Sequence, residues 1–222
     1  MRFQNALLGI QRIRKSMIFS IWAAVAATAI LLVAMVGSLA ALPVLLLSLT
    51  VLGLGLASLI LKLMGVSRAA RDQERFRDAQ ALIIVGIVLA VIQVFIPQES
   101  IFYALLDLVG SLLSLRVSLL IIRGIMELAE LCGWGSLMDQ GRRLRSIVLL
   151  TELGSALLSL LNSVSHFSAK SPTLAILIAV AVLVLSIVEL VLMLRYLADA
   201  ITMLSSPEPN ARPQAGAPGS VV

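Results

Sequence analysis

The chain has few charged residues for its length. Of its 222 residues, 13% are charged and 60% are hydrophobic, and the mean hydropathy is +1.06. A soluble domain carries charge at roughly a quarter of its positions, so these charges are too few to cover a water-soluble surface. The composition therefore excludes an ordinary soluble domain and predicts a protein surrounded mainly by lipid.

Histidine and cysteine are almost absent, with one residue of each, His166 and Cys132. A single cysteine allows no internal disulfide, and no cluster of histidine and cysteine is present to bind a metal ion or haem. The sequence also has no glycine-rich phosphate loop ending in Gly-Lys-Ser/Thr, no HExxH and no GxSxG. We therefore expect no catalytic, cofactor-binding or metal-binding residues, and we do not expect an enzyme.

Aromatic residues make up only 5% of the chain, although its formal net charge is +5. Proteins that bind single-stranded nucleic acid combine a basic groove with aromatic side chains, and the sequence has no such combination. The cations lie instead just beyond apolar runs, where lipid headgroups and the insertion machinery recognise them. We expect the lipid bilayer, and not nucleic acid, as the partner.

Six apolar runs are long enough to cross a membrane as helices. About 20 apolar residues cross roughly 30 Å of hydrocarbon, and none of the runs alternates with the period of two of a barrel strand. A proline lies between the two runs of each successive pair: Pro43, Pro97 and Pro172. We therefore predict an all-α bundle of six transmembrane helices arranged as three hairpins. The runs cover residues 17–38, 44–63, 79–96, 101–122, 147–166 and 173–194.

The first run has a second interpretation. Basic residues precede it, and Ser38-Leu39-Ala40 resembles the small-residue site at which signal peptides are cleaved. The run has about 20 residues, however, whereas the apolar part of a signal peptide has about 7–15. We therefore expect it to be retained as a helix.

The distribution of lysine and arginine predicts the orientation. Basic residues cluster before the first run, between the second and third, between the fourth and fifth, and after the sixth, whereas the three opposite connections carry only Lys170. Short loops rich in these residues stay in the cytoplasm. We predict a bacterial cytoplasmic membrane protein with both termini in the cytoplasm. Residues 1–204 would form its transmembrane domain, and residues 205–222, rich in proline, glycine and serine, a disordered tail.

Two cytoplasmic connections are expected to be structured. Residues 67–78 mix both charge signs at helical spacing and are interpreted as a solvated helix extension. Residues 123–130 are expected to continue the fourth helix, with Arg123 and Glu127 as an attractive pair four residues apart. Gly133-Trp134-Gly135 is expected to end that helix.

Three ionisable residues fall at one depth inside the predicted membrane. At the helical rise of 1.5 Å per residue, Arg116, Glu152 and Glu189 lie about 9–10 Å inside the inner boundary. An unpaired buried charge is costly, so we hypothesise that Arg116 pairs with one or both glutamates, either to lock helices together or to bind an ion or proton. Two alternatives stay open: Arg116 extends to the inner headgroups, and the glutamates are hydrated or protonated.

Further polar residues recur at helical spacing on the predicted fourth, fifth and sixth helices, and Gln93 on the third lies at the same depth as Asp107. Small and hydroxylated residues let membrane helices pack closely, and we favour this interpretation. The alternative is a narrow hydrated path that leads from the outer side, near His166, to the two glutamates. The residues concerned are Gln93, Asp107, Ser111, Ser114, Ser118, Ser155 and Ser159.

A resemblance is carried by two segments, LKLMGVSRAARDQERFRDAQALIIVGIVL and LIIRGIMELAELCGWGSLMDQGRRLRSIVLL. With Arg123-Gly124-Ile125 and the Arg-Arg-x-Arg sequence that precedes the fifth run, they resemble uncharacterised multipass membrane proteins of Gram-positive bacteria. The likeness covers residues 60–200. It implies a six-helix membrane protein and assigns no activity, so no functional residues follow from it.

Two functions are consistent with this sequence. The first, which we favour, is a structural or accessory membrane protein that binds helices of a second copy or of a membrane protein partner. The second is a small transporter or channel for protons or a small polar solute. Neutralising the two glutamates should change assembly in the first case and flux in the second.

Overall fold

The computed structural model describes residues 3–35, 41–97, 100–165 and 172–206. Within these ranges the chain forms six α-helices and no β-strand, which confirms the all-α prediction. The predicted tail from residue 207, residues 36–38 of the first run and His166 lie outside them. The helices are α1 (Gln4–Met35), α2 (Ala41–Ala69), α3 (Glu74–Val94), α4 (Ile101–Leu131), α5 (Gly135–Ser165) and α6 (Pro172–Ser205).

Four of these helices are long and apolar enough to cross a membrane, which indicates a membrane protein. They contribute the segments Gln4–Ile30, Leu46–Ala69, Glu74–Val94 and Phe102–Leu131. Over the residues that the structure describes, α5 and α6 do not meet this criterion. Their two membrane spans therefore stay predictions.

The helices form a closed ring in chain order. Each helix packs on the next, and α6 returns to contact α1. The α1–α2 contact is the most extensive, whereas α4 packs as closely on α5 as on α3. The contacts therefore describe a ring and do not single out three hairpins.

Buried side chains concentrate at one end of the ring, where α1, α3 and α5 begin and α2, α4 and α6 end. We call this region the basal core; it includes the fully buried Ile10, Phe76, Ile125 and Leu197. Away from it, large apolar side chains on all six helices face outwards, and most are about half exposed or more. Exposed apolar surface of this extent marks contact with lipid or with other proteins.

Two glycines allow α1 and α2 to cross at close range. A Cβ on Gly65 would lie 2.7 Å from the carbonyl oxygen of Gly9, and a Cβ on Gly9 would lie 2.5 Å from that of Gly65. Small residues at facing positions are the usual means by which membrane helices approach this closely. The extensive α1–α2 contact depends on this pair.

The connection between α2 and α3 differs from the predicted helix extension over residues 67–78. α2 ends at Ala69, residues 70–73 form a turn, and α3 begins at Glu74. The turn allows the Asp72 carboxylate to accept hydrogen bonds from the Ala6 backbone N–H at 2.8 Å and the Asn5 side chain at 3.1 Å. Asp72 thereby caps the start of α1, whose first N–H groups have no partner within the helix.

The end of α4 agrees with the sequence. Gly133 has φ of 72°, and the N–H of Trp134 donates to the carbonyl of Ala129 at 2.8 Å, as in a Schellman motif. The predicted pair of Arg123 with Glu127 is confirmed at 3.4 Å. Glu127 also accepts hydrogen bonds from the Arg75 side chain at 2.9 Å and from Gln73, so it joins the start of α3 to α4.

We expect Gly65→Ala to lower the thermal unfolding midpoint in detergent, because its Cβ would force α1 and α2 apart. Gly53→Ala on the same helix is the matched control, since no atom lies within 4 Å of that Cβ. Alanine favours a helix over glycine by about 1 kcal/mol, so the control should be neutral or stabilising. Equal midpoints for the two variants would contradict the close crossing.

Candidate functional site

A polar pocket of about 210 Å³ lies inside the ring, next to the basal core. Side chains from α1, α2, α4, α5 and α6 line it, so of the six helices only α3 is not represented. Its polar lining consists of three charged and five hydroxylated side chains: Lys62, Glu152, Glu189, Ser16, Ser20, Ser58, Ser114 and Ser118.

Helical spacing explains how three of the helices contribute two residues each. On α1, α2 and α4 the two polar residues are four positions apart, which places them on one face of the helix. The pairs are Ser16 with Ser20, Ser58 with Lys62, and Ser114 with Ser118. Three polar faces therefore converge on one space, and α5 and α6 each add a carboxylate.

The side chains of one lysine and two glutamates line this pocket. Lys62 and Glu152 attract each other across the pocket without forming a direct ion pair, and Glu152 and Glu189 repel each other. The Thr151 hydroxyl lies beside the Glu189 carboxylate and donates to the Ile147 carbonyl at 2.9 Å. When all three charged groups are ionised, the pocket holds a net negative charge and favours a cation.

The hydroxyls of α1 and α2 join these two helices. The Ser58 hydroxyl donates to the Ser16 carbonyl at 2.9 Å and lies 2.6 Å from the Ser20 hydroxyl. Since the Ser58 proton is already used, Ser20 is the donor in the second bond. The Ser16 hydroxyl donates to the Ile13 carbonyl at 2.8 Å. These three serines therefore hydrogen-bond across and along the helices, as hydroxylated residues in membrane helices do.

The structure brings Glu152 and Glu189 together but not Arg116. Arg116 is exposed and does not line the pocket, and within the described part of the chain it forms no ion pair. It lies two residues from both Ser114 and Ser118, which is about 200° around the helix from either. The sequence predicted Arg116 at the same depth as the glutamates, but its position on the helix is on the side opposite the pocket.

Only part of the predicted polar path reaches the pocket. Ser114 and Ser118 line it, whereas Gln93, Asp107, Ser111 and Ser155 do not. Ser155 instead donates to the Thr151 carbonyl at 3.0 Å within α5. The side chain of Ser159 and all of His166 lie outside the described residues.

Lys62 is the charged pocket residue that the sequence analysis missed. It falls at the inner end of the second apolar run and was grouped with the basic residues of the following loop. A signal was present, because Ser58 and Lys62 share a helix face in the same way as Ser114 and Ser118. The cation that faces the glutamates therefore comes from α2 and not from α4.

The arrangement can hold water, a proton, or a small polar or cationic solute. A water molecule takes up about 30 Å³ in the liquid, so the pocket has room for several. Within the described ranges no three side chains of aspartate, glutamate, histidine or cysteine come together to hold a metal ion. Two carboxylates and several hydroxyls suit a cation that is bound mainly by hydrogen bonds.

A double-mutant cycle tests the partner of Glu152. Lys62→Met should lower the free energy of unfolding in detergent by about 1–3 kcal/mol, less than the 3–5 kcal/mol of a close buried pair, because Lys62 and Glu152 attract each other without a direct ion pair. Adding Glu152→Gln should recover part of that loss. Arg116→Met serves as the control, and its effect should add to that of Glu152→Gln within about 0.5 kcal/mol. Coupling of Glu152 to Arg116 and not to Lys62 would contradict the pocket.

No protein-family model, curated protein or solved structure matches this chain. The likeness to bacterial six-helix membrane proteins therefore rests on the quoted sequence segments alone. Any functional conclusion has to come from the geometry of the pocket and of the surface around it.

Proposed function

We propose that the chain is a six-pass membrane protein that binds a small polar or cationic solute, or protons, in the polar pocket and transports it. The observation that carries this proposal is the convergence of Lys62, Glu152 and Glu189 from three helices on one space inside an apolar ring. Ionisable residues between membrane helices usually mark the path of a substrate, ion or proton.

The exposed surfaces of α5 and α6 support six spans. Leu150 and Leu157 on α5, and Ile187 and Val191 on α6, are all more than half exposed. They resemble the outward-facing residues of the four helices that are apolar enough to cross a membrane. The basal end carries the clusters of lysine and arginine, so the positive-inside rule favours the cytoplasm for this end and for both termini.

The composition of the pocket supports a cationic or protonated solute. Two carboxylates exceed the single ammonium, and the serine hydroxyls can donate to or accept from a ligand. Transport would require Lys62 to release Glu152 as the solute binds. Competition between an internal ammonium and a cationic solute for the same carboxylate provides a direct means of coupling binding to helix movement.

A structural or accessory role is the second candidate. It is favoured by the hydrogen bonds of Ser16, Ser20 and Ser58, which tie α1 to α2, and by the attraction between Lys62 and Glu152. In that case the pocket holds only water, and its charged groups stabilise the bundle that a partner helix or a second copy binds.

Flux measurements separate the two functions. In vesicles with an imposed gradient, wild type should move protons, read by an entrapped pH dye, or radiolabelled methylammonium. Glu189→Gln should reduce that flux by about tenfold or more, since removing a charged hydrogen-bonding partner costs at least ~1.4 kcal/mol.

The control is Glu130→Gln at an exposed acidic residue of α4, which should transport as wild type does. A bundle that moves neither probe but loses thermal stability with Glu189→Gln would support the structural role and reject transport.

Accessibility measurements test the orientation. In a Cys132→Ala background, Ser136→Cys at the exposed basal end should react with a membrane-impermeant maleimide only after the cells are permeabilised. Phe95→Cys, at the opposite end and 81% exposed, should react in intact cells. The reverse pattern would place the basal end outside and contradict the proposed topology.

A further inference from the structure

An apolar groove adjoins the polar pocket. It has a volume of about 460 Å³ and lies between α2, α3 and α4. Apart from Lys62 and Ser114, its lining consists of apolar side chains and glycines. These same two residues also line the polar pocket, so the two spaces share a wall at which a chain of carbon atoms would give way to polar groups.

The dimensions of the groove match one lipid chain. Along α3 its lining runs from Leu82 to Val94, a length of about 18 Å at the helical rise. Half of the hydrocarbon core, which one lipid chain crosses, is about 15 Å thick. The groove therefore has the length of a single acyl chain that lies parallel to the helices.

Glycines widen the groove, and its rim faces outwards. A Cβ on Gly86 of α3 or on Gly110 of α4 would find no atom within 4 Å. At the rim, Leu56, Val91 and Val94 are more than half exposed, and α2 contacts α3 only lightly. In a bilayer this gap would admit a chain directly from the surrounding lipid.

The geometry points to an amphipathic ligand for this site: a phospholipid with an amine-bearing head, whose alkyl chain occupies the groove and whose head enters the polar pocket. This inference rests on the proposed solute site and names the class of its ligand. The order of groups in such a lipid is chain, phosphate and ammonium. The order of groups in the protein is groove, Lys62 and then the two glutamates, so each charge meets its opposite.

Binding measurements with the full chain in nanodiscs of phosphatidylglycerol, a lipid without an ammonium group, test the inference. The probe is radiolabelled lysophosphatidylethanolamine, which has one chain, a phosphate and an amine. Wild type should bind it. Phosphoethanolamine, which has the head alone, and lysophosphatidic acid, which lacks the amine, should compete poorly.

Filling the groove should weaken binding of this probe. Gly86→Leu and Gly110→Leu should each lower the affinity by about tenfold or more, because the alkyl chain loses several buried methylene groups. Gly53→Leu is the matched control: Gly53 is also without a neighbour within 4 Å but does not line the groove, and its affinity should equal that of wild type. Glu189→Gln should weaken binding of the probe and leave the weak binding of lysophosphatidic acid unchanged.

The outcomes separate this inference from the proposed function. If both groove-filling variants bind the probe as well as the Gly53→Leu control does, the groove does not hold the chain. If phosphoethanolamine competes as well as the lipid, the ligand needs no chain. Either result overturns the amphipathic ligand but leaves the small-solute site, which the methylammonium and proton fluxes test separately. If wild type does not bind the probe at all, the inference of an amphipathic ligand is also overturned.

Discussion

Lys62 places an amine inside a ring of apolar helices, in the same pocket as two carboxylates. The lysine stem leaves α2 near the crossing with α1 and brings its ammonium towards Glu152 of α5. Glu189 of α6 adds a second carboxylate to the same space. A charge away from bulk water is costly unless it is compensated, so this pocket depends on carboxylates from helices that are distant in sequence.

The basal core provides the rigid frame that holds these groups in place. Glu127 joins α3 to α4 through Arg75 and Gln73, and the Tyr196 hydroxyl of α6 donates to the Ile122 carbonyl of α4 at 3.3 Å. Together with the packed apolar residues, these contacts fix the ends of the helices nearest the pocket. The outer halves have few buried side chains among those described.

The sequence predicts the features of this protein that depend on one helix at a time. Apolar length and breakers located the helices, Gly133 located the end of α4, and a spacing of four residues paired Arg123 with Glu127. Depth along a helix also follows from sequence, and the two glutamates for which it predicts one depth, Glu152 and Glu189, line the same pocket.

The direction in which a residue points within the ring does not follow from the sequence, because packing between helices decides it. Arg116 is exposed and does not line the pocket. Lys62 has a backbone position near the boundary and a side chain long enough to enter the pocket. Asp72 caps α1 across 66 residues of chain, and no local pattern of charges reveals such a contact.

The outward-facing position of Arg116 has a consequence for the movements open to α4. On an apolar surface surrounded by lipid, its guanidinium would reach down to the phosphates of the nearer leaflet, while Arg123 lies one heptad below on the same side of the helix. Two arginines at the headgroup layer would anchor α4 against sliding along the membrane normal. If the bundle transports a solute as proposed above, its cycle would then proceed by tilting or rotation of helices and not by a piston stroke of α4.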